Sequence, residues 1–200
     1  MIPRQSKKVG LIFAGGQAKR FGGGKCHALL EDRPLIEHVY HALRPLVDEL
    51  WLSTKKGYFF PELAFARVIE DEVPFEGPAR ALLRILSSLH PEDLILAAAC
   101  DQPFLNPSLL SFLLESAENE GALAVMCLRE DGKILPLPGV YRRGLTGGSS
   151  FRDLAPKDRL LFLSPEQWRR FDPDGQSFFN VNFREDLERA CRESAKRAGE

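Results

Sequence analysis

Asp93 to Cys100, DLILAAAC, is an unbroken apolar run behind a single acidic residue. A strand with one wet face alternates apolar and polar side chains, whereas a strand covered on both faces of a parallel sheet does not. The run therefore reads as a central parallel strand, and Val9 to Phe13, VGLIF, reads the same way. Strands of that kind need helices above and below the sheet. Pro34 to Leu46 supplies one, with Leu35, Ile36, Val39, Leu43 and Leu46 on one face and Pro34 suited to the first turn. His38 and His41 lie near that face as ordinary helix residues rather than ligands. Glu49 to Ser53 and Phe65 to Ile69 are two further strands. Gly77-Pro78 opens a helix with Leu82, Ile85, Leu86 and Leu89 inward. Asn106 caps and Pro107 begins another, with Leu109, Leu110, Leu113 and Leu114 inward. Strands alternating with helices through short connections predict an α/β class protein with a doubly wound, mostly parallel sheet.

The pattern changes after Gly121. Ala122 to Cys127 and Leu135 to Tyr141 read as strands flanking a turn at Asp131-Gly132, and Leu160 to Leu163 is a further short apolar stretch. Phe178 to Asn182 leads into a last, heavily charged helix, Arg184 to Lys196, expected to pack by one narrow face. Gly144 to Ser150, GLTGGSS, is either a mobile loop over a site or a flexible connection. No internal repeat or linker divides the chain, so residues 1–200 are expected to form a single domain.

Composition removes several function classes. A net charge of −1 leaves no electrostatic footprint for nucleic acid. No apolar run approaches the roughly 20 residues of a membrane span, and the N-terminal MIPRQSKK has no apolar segment of its own. Neither nucleic acid nor a membrane is an expected partner. Cys26, Cys100, Cys127 and Cys191 are scattered without a C-x-x-C, which suggests neither a zinc site nor a disulfide framework. A reducing, cytoplasmic setting is expected, with Cys26 a small filler beside Lys25.

The first strand runs directly into Ala14-Gly15-Gly16 and then Gly22-Gly23-Gly24, with Arg20 and Lys25 among the glycines. Glycine backbones can close on an anion with successive N–H groups, and the two cations add charge-assisted contacts. The glycines alone are equally compatible with an ordinary loop. Neither the G-x-x-x-x-G-K-[ST] phosphate loop nor the G-x-G-x-x-G dinucleotide fingerprint is in register. In open α/β sheets, ligands bind beyond the carboxyl ends of the strands. Three strand ends carry marked residues: the glycine loop, Glu70-Asp71 and Asp101. Asp101 is either a turn aspartate or a carboxylate for Mg²⁺, which takes oxygen ligands and shares them with phosphates.

Ala14-Gly15-Gly16, Arg20-Phe21-Gly22-Gly23, Lys25 and Pro34-Leu35 together resemble the nucleotidyltransferase family, and most closely the molybdenum cofactor guanylyltransferases. Val68-Ile69-Glu70-Asp71 with Gly77-Pro78 resembles that family's second motif. Cys100-Asp101-Gln102-Pro103-Phe104 resembles its metal-binding motif, and Phe179-Asn180-Val181-Asn182 with Glu185-Asp186-Leu187 its C-terminal N-x-N motif. Departures are Gly24 in place of the Asp before the lysine, a one-residue shorter spacing from Arg20 to Lys25, Ser53 for Asn, Ala81 for Gly and Phe183-Arg184 for Thr-Pro. The resemblance implies a Rossmann-like nucleotidyltransferase fold. It also implies a GTP- and Mg²⁺-binding half over about residues 9–120 and a molybdopterin-binding half over about residues 121–187. On this likeness Phe13, Ala14, Gly15, Gly16, Lys25, Ser53, Asp71 and Asp101 contact the nucleotide, and Asp101 holds the metal. Arg20, Lys25 and Asp101 act catalytically, Asn180 and Asn182 face the pterin, and Pro136 to Tyr141 lies near the same cleft. The implied reaction is attack of the acceptor's terminal phosphate on the α-phosphate of GTP with loss of pyrophosphate. Transient contact with cofactor-delivering or cofactor-accepting proteins is implied as well. Other readings remain open: CTP onto molybdopterin, a nucleotide onto a sugar phosphate or phospholactate, or a nucleotide-binding adaptor without turnover.

Overall fold

The computed structural model describes residues 6–15, 20–58, 60–70 and 77–198, with the side chains of 196–198 left aside. In chain order the strands and helices are β1 (Lys8–Phe13), β2 (Leu29–Leu30), β3 (Arg33–Pro34), α1 (Leu35–Leu43), β4 (Glu49–Thr54), β5 (Arg67–Glu70), α2 (Pro78–Ser87), β6 (Leu94–Ala99), α3 (Pro107–Glu120), β7 (Ala124–Leu128), β8 (Ile134–Arg142), β9 (Leu160–Leu163), α4 (Pro165–Trp168) and α5 (Arg184–Ala198). Seven strands form one sheet in the order β5-β4-β1-β6-β8-β7-β9, and β2 and β3 make a small separate hairpin. The strands β5, β4, β1 and β6 are mutually parallel. β8 pairs antiparallel with both β6 and β7, and β9 returns parallel to β7. The expected α/β fold with a mostly parallel sheet is the one observed.

Side-chain alternation distributes the sheet residues between two cores. On one face Ile12, Leu94, Leu96 and Ala98 meet Ile36, Val39 and Leu43 of α1 and Leu109, Leu110, Leu113 and Leu114 of α3. On the other, Val9, Leu11, Ile95 and Ala97 meet Ala79, Leu82, Ile85 and Leu86 of α2. Helices on both faces are why β1 and β6 carry no polar stripe. A third, smaller core joins Phe21, Leu30 and Leu35 to Val181 and to Ala190 of α5, so the terminal helix docks beside the glycine loop by a narrow apolar face. Among the described residues no helix is long and apolar enough to cross a membrane.

The boundaries of α1 differ from expectation at both ends, and β5 and β7 each begin two residues later than expected. Pro34 stands outside α1, its extended backbone (φ −54°, ψ 142°) pairing in the β2–β3 hairpin before the helix begins at Leu35. That helix stops at Leu43, and Arg44–Leu46 tightens into a 3-10 turn where Pro45 cannot supply an N–H. The Asn106 side chain accepts from Ser108 N–H at 2.9 Å, as a cap should. Gly144 to Ser150 is fastened near its start: Leu145 is buried, and Thr146 and Ala155 exchange backbone hydrogen bonds of 2.9 Å.

Gly139 shows why β8 needs a glycine where it crosses β6. A Cβ there would stand 2.5 Å from the Pro136 carbonyl oxygen and 2.9 Å from Tyr141 Oη, and Tyr141 is fully buried. Gly139→Ala is expected to destabilise the fold by roughly 1–3 kcal/mol, because the obstruction is partly backbone and cannot rotate away. A urea titration would read this as a lower midpoint with unchanged slope, and an unchanged midpoint would show that β8 relaxes freely.

Candidate functional site

The sheet reverses its winding between β1 and β6, the place where open α/β sheets bind ligands. The ends of three strands are tied together there. The Ala14 N–H donates to the Ser53 carbonyl at 2.7 Å, and the Cys100 N–H donates to the Phe13 carbonyl at 3.0 Å. Ala14 and Ser53 are buried, while Phe13 and Gly15 are half-buried. Gly22, Gly23 and Gly24 then take φ values of 89°, 95° and 61°, a run open only to glycine without strain. Gly24 caps a 3-10 turn, Lys25–His27, that aims Lys25 back at the sheet. Gly16 and Asp71, two of the expected nucleotide contacts, lie outside the described residues.

Lys25 Nζ donates to Asp101 Oδ2. Their side chains are only 16% and 9% exposed, so the pair is largely desolvated and worth more than a surface ion pair. No described residue donates to Asp101 Oδ1. The shorter spacing from Arg20 therefore does not keep Lys25 from the strand ends. Arg20 is exposed, and its guanidinium lies over the Phe183 ring, 5.8 Å from the centroid. The two cations thus stand in different surroundings.

The C-terminal motif arrives at the same place. The Val181 N–H donates to the Asp101 carbonyl at 2.9 Å while its side chain enters the core with Phe21 and Leu35. Asn180 is half-buried and its amide donates to the Phe178 carbonyl at 2.8 Å; Asn182 is exposed. The Asp186 carboxylate accepts the Asn182 and Phe183 N–H groups, each at 2.9 Å, and closes the first turn of α5.

Two features of the site were not visible in the sequence. Cys26 and Cys100 form a disulfide, which corrects the expectation of no disulfide and of Cys26 as a filler. The pairing joins residues 74 positions apart, and scattered cysteines without a shared motif carry no register from which to infer it. The other is Gln102, which is 1% exposed. Its Oε1 accepts from Ala99 N–H at 2.9 Å, and its Nε2 donates to the Leu137 carbonyl at 2.8 Å and the Ser177 carbonyl at 3.2 Å. One amide therefore locks β6, β8 and the C-terminal loop together behind Asp101.

The donor set suits a hard cation shared with a ligand rather than a protein-only metal cage. Among the described residues no three His, Cys, Asp or Glu side chains cluster as a metal site. Asp101 offers one carboxylate at a strand end, and Mg²⁺ is commonly held by one or two carboxylates with phosphates supplying further oxygens.

Residues 10–161 match the MobA-like NTP transferase domain family. The chain is 31% identical to a probable molybdenum cofactor guanylyltransferase of Chloroflexus aggregans, aligning 93% of this chain with 94% of that one. It is 34% identical to another probable molybdenum cofactor guanylyltransferase, from Carboxydothermus hydrogenoformans, over 78% of this chain and 76% of that one. Among solved structures, molybdopterin-guanine dinucleotide biosynthesis protein A from Archaeoglobus fulgidus superposes with a TM-score of 0.72 at 23% identity, covering 94% and 99% of the two chains. That last likeness is one of fold.

The Lys25–Asp101 pair should behave as a coupled unit. Lys25→Met, which leaves a desolvated carboxylate without its partner, is expected to lower stability by about 1–3 kcal/mol in ligand-free protein. In a double-mutant cycle with Asp101→Asn the two losses should fall short of additivity by more than about 0.5 kcal/mol. Strict additivity in chemical denaturation would mean that the two groups do not interact.

Proposed function

This chain belongs to the MobA-like NTP transferase family, and from that premise we propose that it transfers GMP from GTP to the terminal phosphate of molybdopterin, releasing pyrophosphate. The observation that carries the proposal is the Lys25–Asp101 pair, which joins the residue after a run of positive-φ glycines to the loop at the end of β6. The two relatives named above support guanine as the base and the molybdenum cofactor as the acceptor.

A phosphate is already a nucleophile near neutral pH, so the site needs no Ser-His or Cys-His device. An oxygen of the acceptor's phosphate bonds to the α-phosphorus of GTP as the bond from that phosphorus to the bridging oxygen breaks, and pyrophosphate carries the electron pair away. The chain's task is positioning and charge neutralisation. The backbone of Ala14 and Gly15 and of Gly22 to Gly24 cradles the triphosphate. Lys25 exchanges part of its interaction with Asp101 for the phosphates, where it opposes the charge that grows on the leaving group. Arg20, on the outer side, adds a second positive charge. Mg²⁺ held by Asp101 would supply further neutralisation of phosphate charge when bound.

On this reading roughly residues 9–120 form the nucleotide half and 121–187 the acceptor half, with Asn180 and Asn182 toward the pterin. The hydrogen bond from Val181 N–H to the Asp101 carbonyl supports this reading, because it sets that motif beside Asp101.

The test is pyrophosphate release from GTP with molybdopterin as acceptor. Asp101→Asn should lose Mg²⁺-dependent turnover by on the order of 10²-fold or more while remaining folded in a thermal melt. A normal rate would sink the mechanism, and protection by CTP but not GTP in the melt would overturn the guanylyl assignment. Binding of GTP without any turnover would leave the adaptor reading in its place. For the acceptor half, Asn180→Ala and Asn182→Ala should keep GTP affinity and slow transfer, and an equal loss of GTP binding in both would contradict the division.

A further inference from the structure

The disulfide lies in a telling position. Cys26 follows Lys25 directly, and Cys100 directly precedes Asp101. The covalent bridge therefore joins the nearest neighbours of the two residues that form the central ion pair. The Cα atoms of the bridged cysteines are 5.6 Å apart, within the ordinary range for a disulfide.

Other contacts hold the two sides unequally. Asp101 is fixed by a packed strand, by Gln102 and by the Val181 hydrogen bond. Lys25 has less support, because it follows three exposed glycines, and a Cβ at Gly23 or Gly24 would meet no described residue within 4 Å. The chain regains the core only at Cys26, which is 5% exposed. We propose that the Cys26–Cys100 disulfide is a positioning cross-link that holds Lys25 at Asp101 and so sets the lysine's reach toward the phosphates of the nucleotide. This rests on the reading of Lys25 and Asp101 as phosphate- and metal-binding groups.

Formation of the bridge removes two protons and two electrons from the two thiols. A small disulfide oxidant accepts them and leaves as two thiols, and a dithiol reductant reverses the step by becoming a disulfide itself. The remaining cysteines, Cys127 and Cys191, are free thiols. Burial pushes the Cys127 thiol up to about 12, which keeps it protonated, and Cys191 is exposed on α5. Both Cys26 and Cys100 are buried, so exchange with external thiols is slow in the folded protein, and reduction and reoxidation are driven to completion in mild denaturant before each assay.

The experiment compares three forms of the full chain: oxidised, reduced by dithiothreitol, and Cys26→Ala/Cys100→Ala. Thiol titration in denaturant should find two thiols in the oxidised form, Cys127 and Cys191. Four thiols after exposure to oxidised glutathione would overturn the proposal. Lys25 is then acetylated in nucleotide-free protein with an N-hydroxysuccinimide ester and followed by peptide mass. Acetylation should be several-fold faster in the reduced and Ala forms, and reoxidation of the reduced form should return it to the slow rate. The single variant Cys100→Ala covers the case in which the double variant fails to fold. Equal acetylation in all forms would overturn the proposal. Pyrophosphate release should fall by on the order of 10²-fold in kcat with a smaller change in KM for GTP, as expected for misplacement by about an ångström. If no form releases pyrophosphate, the proposed function fails while the acetylation rates still decide the role of the bridge.

Discussion

Pairing of β1 with β6 is the constraint on which the rest of the molecule depends. It places Phe13 beside Ala99 in register, so the loops that follow both strands leave the sheet at one level. Helices must cover both faces of these central strands, and α1, α3 and α2 do so. With the strands buried on two sides, their ends cannot shift without disturbing both cores. Asp101 therefore inherits a fixed position from apolar residues that have no part in its chemistry. At the other end of the same strands Asp48 and Asp93 clasp the start of β1, accepting the Lys8 N–H at 2.7 Å and the Lys7 N–H at 3.0 Å.

The glycine loop has no comparable core, and its order comes from its far end. Phe21 reaches the small cluster around Val181 and Ala190, and Cys26 reaches the main core. A cross-link over 74 residues also removes chain entropy from the unfolded state, an effect of about 4 kcal/mol in loop-closure terms. The same bond that joins the turn carrying Lys25 to the end of β6 thus restrains the unfolded chain from residue 26 to residue 100.

Much of this was legible in the sequence because the signals were local. Continuous apolar runs marked β1 and β6, heptad-like apolar spacing marked α1, α2 and α3, and an Asn-Pro pair marked the start of α3. What could not be read depended on partners far apart in the chain. The reversal of β8, the return of β9 beside β7, the Arg20–Phe183 stacking and the three-way bond of Gln102 have no periodicity and no fixed offset. At the site, the chemistry of Lys25 and Asp101 was visible as residue types at a strand end. Their direct pairing was not, because the chain between them gives no measure of how the glycine loop folds back.

The reversed strand β8 has an effect beyond its own pairing. Because it runs against β6, the β7–β8 hairpin turn at Asp131-Gly132 projects from the same edge as the loops after β1, β4 and β6. The end of β9 opens there too, leading into the C-terminal motif. The opposite edge holds the returns from α1, α2 and α3 and the aspartate clasps. The protein is thereby sorted into a foundation and a workbench. Insertions or swapped loops can accumulate on one edge while the other keeps the architecture unchanged.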